Sequence, residues 1–189
     1  MAMADKPVAS YLWRRLEQPG HDFCRLIERD DGWQLSGTAV FMEHGPCRLD
    51  YRVMTDRQWR TRSARVMGYV HRRAVDLAIR VARGRWSVNG VARPRIVDSI
   101  DVDLNFTPAT NQIAIRRLGL SRGQAAAAPA AWLEFPQLRL VGLPQYYRRI
   151  DAQRYDYRVP TVGYAGLLVV DRDGSIAHYP ELFEKVARR

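Results

Sequence analysis

Lysine is almost missing from this chain: Lys6 and Lys185 are its only lysines, although lysine and arginine together number 30 against 20 acidic residues. The net charge of +10 and the pI near 10.2 are therefore arginine charge. Such a balance asks for an anionic partner, whether nucleic acid, phosphate or a membrane surface. The arginines are scattered rather than gathered into a run or arm, so a solvated set is favoured over a nucleic-acid-binding stripe. Long apolar runs are also lacking. Nothing approaches the roughly 20 residues that a spanning helix needs, which excludes a transmembrane helix. Residues 1–10 contain Lys6 but no apolar signal core, so the expected compartment is the cytoplasm. Cysteine is scarce, and the spacing of Cys24 and Cys47 fits neither a redox CxxC pair nor a zinc knuckle. Both read as reduced, buried small hydrophobes, and no metal or cofactor is expected. The length suits one domain, with a weakly ordered segment at 1–10 and a β-rich body at 11–189; Tyr-Arg-Val at 51–53 and again at 157–159 hints at two pseudo-related halves meeting near 107–131, but three residues are too few to establish a repeat.

What is present is period-two alternation. Cys47, Leu49, Tyr51, Val53 and Thr55 fall on one face, with Arg48, Asp50, Arg52 and Asp56 on the other. Val75 to Val81 and Arg154 to Val159 repeat the pattern. Asp31-Gly32, His44-Gly45-Pro46, Asn89-Gly90 and Asp173-Gly174 supply tight connections. The fold class is thus all-β and mostly antiparallel. Two segments read as helical: one begins at Thr107-Pro108 and stops at Gly119, and one runs from Pro180, with acids early and Lys185, Arg188 and Arg189 late. The alanine-rich stretch 124–131, broken by Pro129, reads as a linker.

Asp98 to Phe106 is the most informative segment. As a strand it points Ile100, Val102 and Leu104 one way and Asp101, Asp103 and Asn105 the other. Two carboxylates sharing a face can accept hydrogen bonds from sugar hydroxyls or raise each other's pKa, and a solvent face paired with arginine is the plain alternative. Gly119-Leu-Ser-Arg-Gly123 matches the nucleophile-elbow pattern, with Asp171 and His178 following, but the parallel sheet that the elbow needs is not expected here. Trp59-Arg60-Thr61-Arg62 and Tyr146-Tyr147-Arg148-Arg149 interleave rings with cations, which core rings with surface arginines explain best. His21 beside Asp22 is a candidate base, more simply a hydrogen-bonding residue in a turn.

Taken in order, Trp13-Arg-Arg-Leu16, Pro19-Gly-His-Asp22, Gly37-Thr-Ala39, Trp59-Arg-Thr-Arg-Ser63, Trp86-Ser-Val-Asn-Gly90, Asp101-Val-Asp-Leu104, Phe106-Thr-Pro-Ala-Thr-Asn111, Ile115-Arg-Arg-Leu118, Gln145-Tyr-Tyr-Arg148 and Tyr179-Pro180 resemble a bacterial glycolipid-binding family, a domain of unknown function. The resemblance spans nearly the whole chain, and the blocks at 101–111 and 115–118 are its most specific parts. It implies a long antiparallel sheet wrapped as an incomplete barrel around one helix, broadly similar to bacterial lipoprotein-localisation factors, together with a homodimer and an acidic pocket. On that basis the expected ligand is a glycolipid or related amphiphile, bound without catalysis. Asp101, Asp103, Asn105 and Asn111 would meet its polar head, with Arg60, Arg62, Arg116 and Arg117 as supporting cations and His21 beside them. An enzyme using the Asp101/Asp103 pair on envelope sugars or lipids is one alternative, and a nucleic-acid binder is the other.

Overall fold

The computed structural model describes residues 7–189, so the expectation for residues 1–10 lies mostly outside the described residues. Eight strands follow one another as hairpins: β1 (Pro7–Arg15), β2 (Gly20–Arg29), β3 (Gly32–Met42), β4 (Pro46–Asp56), β5 (Thr61–Val70), β6 (Arg73–Ala82), β7 (Arg85–Val88) and β8 (Val91–Ala92). The alternation decides which face is inner: Cys47, Leu49, Tyr51, Val53 and Thr55 are all buried, while Arg48 and Arg52 are exposed. The turns behave as their residues demand. Asn89 and Gly90 both take positive φ, and the Asn89 side chain accepts from Ala78 N at 2.7 Å and donates to Asp76 O at 3.0 Å, stitching the β7–β8 turn to β6.

The second half supplies β9 (Asp101–Leu104), α1 (Asn111–Leu118), β10 (Ala125–Ala127), β11 (Ala130–Glu134), β12 (Arg139–Leu143), β13 (Tyr146–Arg149), β14 (Arg154–Val159), β15 (Tyr164–Val170), β16 (Ile176–Tyr179) and β17 (Phe183–Arg188). Fourteen strands form one antiparallel sheet in the order β10-β13-β14-β15-β16-β17-β1-β2-β3-β4-β5-β6-β7-β8, and its two ends do not meet. A three-stranded sheet, β12-β11-β9, lies apart from it, with β9 parallel to β11. The path explains the helix. The first meander ends at the β8 edge, the second starts at the β10 edge, and the connection between them runs through β9 and α1 across the interior.

The helix forms where Thr107 and Pro108 announce it. Thr107 Oγ1 accepts from Ala109 N at 3.1 Å, a short 3-10 turn runs over Pro108–Thr110, and Gly119 ends α1 in the left-handed conformation. Asn111 through Ile115 are buried, and α1 reaches β1 through Gln112 and Tyr11 and β13 through Asn111 and Tyr147. This is the one α-helix among the described residues, and no helix there is long and apolar enough to cross a membrane.

Two expectations are corrected. Residues from Pro180 onward do not form a helix: after a turn they make β17, paired with both β16 and β1. The dipole-friendly charge order is a weak preference, and the unpaired ladder of β1 offers a hydrogen bond to nearly every residue instead. Nor is 124–131 a linker. Its alanines build β10 and the start of β11, Ala128, Ala130 and Ala131 are buried, and Pro129 sits where the chain leaves one sheet for the other.

Candidate ligand site

At the N-terminal end of α1 a cavity of about 100 Å³ separates the helix and the small sheet from β14–β17. Its polar lining is Asp103, Asn105, Thr107 and Asn111, and its apolar wall includes Trp132, Tyr157, Tyr164, Tyr179, Leu182 and Phe183. The rings pack on one another: Tyr179 stands perpendicular to Tyr157 at 5.9 Å and meets Tyr164 at 5.5 Å. Strand alternation puts Tyr157 on the inner face of β14, and the pairing of β16 with β17 sets Tyr179 opposite Phe183.

Asp103 accepts from Gln145 Nε2. Burial pushes its carboxyl up to about 6, and the nearby charge of Asp101 adds to the effect. Asn111, nearly buried, donates to the Tyr147 hydroxyl at 3.0 Å, which leaves its carbonyl oxygen for another partner. Asn105 is exposed at the rim. A carboxyl with a raised pKa, two amides and tyrosine rings packed edge to face together can accept hydrogen bonds from hydroxyls and cover the apolar face of a ring.

Asp101 does not line this cavity. Its carboxylate is 2% exposed and is held by Arg117, Nε to Oδ1 and Nη2 to Oδ2 at 2.7 Å each. The expected free acidic face is therefore an interior face, and Arg117 occupies half of it; burial pushes the Asp101 carboxyl up while Arg117 opposes the rise. Ile100, expected inside, is exposed, whereas Val102 and Leu104 are buried as expected. Both faces of β9 are covered because the strand lies within the concavity of the large sheet.

The remaining expected residues are dispersed. Arg60 and Arg62 point outward near the start of β5, where Arg62 pairs with Asp31 and the Arg60 backbone N–H donates to Asp56 Oδ1. Arg116 projects from the other end of α1, its guanidinium 5.1 Å over the Trp59 ring. His21 is exposed on β2, in a strand rather than a turn. Ser121 is exposed beyond α1, its backbone N–H donating to Gln124 Oε1, and His178 faces Glu184, so no nucleophile elbow forms. No group of three or more His, Cys, Asp or Glu suited to a metal occurs among the described residues.

Asp22, passed over in favour of its neighbour His21, is fully buried. It accepts from the Tyr51 hydroxyl at 3.0 Å and from Thr107 Oγ1, the same threonine that caps the helix entry and lines the cavity. Burial lifts this carboxyl to about 7, against the hydrogen bonds and the pull of Arg15. The signal was available: Asp22 alternates with Cys24 and Leu26, which places an acid on the apolar side of a strand. Arg15 is likewise nearly buried, its guanidinium 4.1 Å over Phe41 and 5.4 Å from the Phe183 ring.

Comparison with known proteins agrees with this architecture. A crystal structure of a DUF1089 family protein from Pseudomonas aeruginosa superposes with a TM-score of 0.76 and 29% identity, covering 97% of this chain and 96% of that one. No curated protein matches the chain. The family model described as "Putative glycolipid-binding" matches residues 10–185, so the chain belongs to that family.

Proposed function

We propose that the protein binds a glycolipid or related amphiphile without transforming it, with the polar head against Asp103, Asn105 and Asn111. The observation that carries this reading is the union of a half-buried, hydrogen-bonded carboxyl with a wall of tyrosines in one cavity at the helix end. Sugars combine hydroxyls with an apolar ring face, and this lining meets both. At about 100 Å³ the cavity suits part of a head group. Acyl chains then fall to the open grooves beside the two free sheet edges, about 850 Å³ near Trp86, Ile96 and Val97 and about 670 Å³ near Ala125–Ala127 and Tyr146.

Acid–base catalysis by an aspartate pair is the weaker reading, because Arg117 occupies Asp101 and leaves Asp103 without a second free carboxylate. The family resemblance extends the proposal to a homodimer, and two free, buried thiols suit a reducing compartment such as the cytoplasm. Native mass spectrometry of freshly purified protein tests the reading: a co-purified or added glycolipid with an uncharged sugar head should stay bound, and Asp103→Asn should weaken it by about tenfold or more. Equal retention by the wild type and the variant would remove Asp103 from the site.

A further inference from the structure

We propose that a second cavity, at the C-terminal end of α1, is a phosphate-group site in which Arg116, Arg149 and Arg172 take a phosphate monoester or diester. This cavity, about 290 Å³, is lined by those three arginines with Trp59, Tyr155 and Gly174, and shares no residue with the Asp103 cavity. The two lie at opposite ends of the helix.

The arginines are placed for an external ligand. On the outer strands, guanidinium groups such as Arg48, Arg62, Arg65 and Arg158 are spent on neighbouring acids. Arg116 and Arg172 have no carboxylate partner among the described residues. Arg149 is fixed by backbone carbonyls, donating to Leu120 O at 2.7 Å, Asp151 O at 2.9 Å and Ala152 O at 3.3 Å, which holds the rest of its fork in place. The one carboxylate in the lining, Asp171, already accepts from Lys185 Nζ at 2.9 Å and lies 3.7 Å from Arg188. The lining is therefore strongly positive, and the negative end of an eight-residue helix opposes it only weakly.

The site is also built at a cost. Trp59 takes φ 64°, a rare conformation for a bulky side chain, and stacks on Trp33 at 5.1 Å while its ring carries the Arg116 guanidinium. Gly174, at φ 80°, leaves room for the Arg116 stem, since a methyl group there would lie 3.2 Å from Arg116 Cδ. The Trp59 backbone thus holds a costly conformation where its ring seats the Arg116 guanidinium, while Gly174, an unstrained turn glycine, leaves space for the Arg116 stem.

The test uses the full chain. Glycerol 3-phosphate is titrated calorimetrically, and sedimentation measures binding to phosphatidylcholine vesicles with and without phosphatidylglycerol. The variants are Arg116→Gln/Arg172→Gln and a control with the same charge loss elsewhere, Arg48→Gln/Arg57→Gln. The proposal expects binding by the wild type, about tenfold weaker in the first variant and little changed in the control. Binding only to the phosphatidylglycerol vesicles assigns the phosphate to a lipid head group; binding of glycerol 3-phosphate assigns it to a soluble ester as well. Equal loss in both variants, or no binding of either probe by the wild type, overturns the proposal. Retention of the uncharged glycolipid by Arg116→Gln/Arg172→Gln is measured alongside, so failure here is distinguishable from failure of the Asp103 reading.

Discussion

Arg117 clasps Asp101 with two prongs of its guanidinium, each 2.7 Å from a different carboxylate oxygen, and so ties the last turn of α1 to the start of β9. Both side chains are largely out of water. Removing one partner leaves the other buried and uncompensated, so Asp101→Asn should cost roughly 3 kcal/mol in denaturant unfolding, while Asp101→Leu/Arg117→Leu should cost less than its two single changes added together. Additive losses would mean that the clasp contributes nothing beyond its separate members.

The Asp22 carboxyl leads to a pH prediction. Its pKa rises from an ordinary 3.8 to about 7 in the folded protein, so the native state holds a proton that the unfolded chain releases in between. This contribution to stability is complete below about pH 4 and is lost as pH rises through 7. The wild-type stability measured relative to Asp22→Asn should therefore fall across that window by up to about 4 kcal/mol, then level off. A difference that stays flat from pH 4 to 8 would show that Asp22 remains ionised throughout.

Gly37 sits beneath the Tyr51 ring. A methyl group there would lie 2.5 Å from the Tyr51 hydroxyl and 2.3 Å from Phe23 O. Gly37→Ala should destabilise by about 1–3 kcal/mol and displace Tyr51 from Asp22, which would raise the Asp22 pKa further because a hydrogen bond to its ionised form is lost. Thermal unfolding and carboxyl titration by NMR check the two consequences separately.

Charge on the outer face predicts weak nucleic-acid binding. Arg48, Arg57, Arg62, Arg65, Arg139, Arg154 and Arg158 each pair with a neighbouring acid, which breaks up any continuous phosphate track. Filter binding to random duplex DNA at physiological salt should give only the affinity typical of non-specific contacts, about 10⁻⁴–10⁻⁶ M. Submicromolar affinity with a steep salt dependence would contradict this picture.

The large sheet was legible because its grammar is local: alternation in β4, β6 and β14, and turn residues between strands, report burial and reversal without knowledge of the partner strand. The helix was legible for the same reason, since Thr107, Pro108 and Gly119 act on their own neighbours. The misreadings came where distant partners decide. The 180–189 segment has a helix-like charge order, yet β1 claims it as a strand. Asp101 and Asp103 were recognised as sharing a face, but which of them would meet Arg117 and which Gln145 depends on residues from other elements. Asp22 was the avoidable omission, because its place in the alternation alone put a carboxyl inside.

The pairing of β1 with β17 has a consequence for assembly. β1–β8 and β13–β17 are each built from neighbours in sequence and can zip up hairpin by hairpin, whereas the seam joins residues such as Tyr11 and Arg188 from opposite ends of the described chain. That closure carries a large loop-entropy cost and belongs among the late events of folding. Until it forms, β1 presents a bare row of backbone donors and acceptors beside Tyr11 and Trp13, and a second copy of β17 from another molecule could supply the missing ladder as readily as the chain's own.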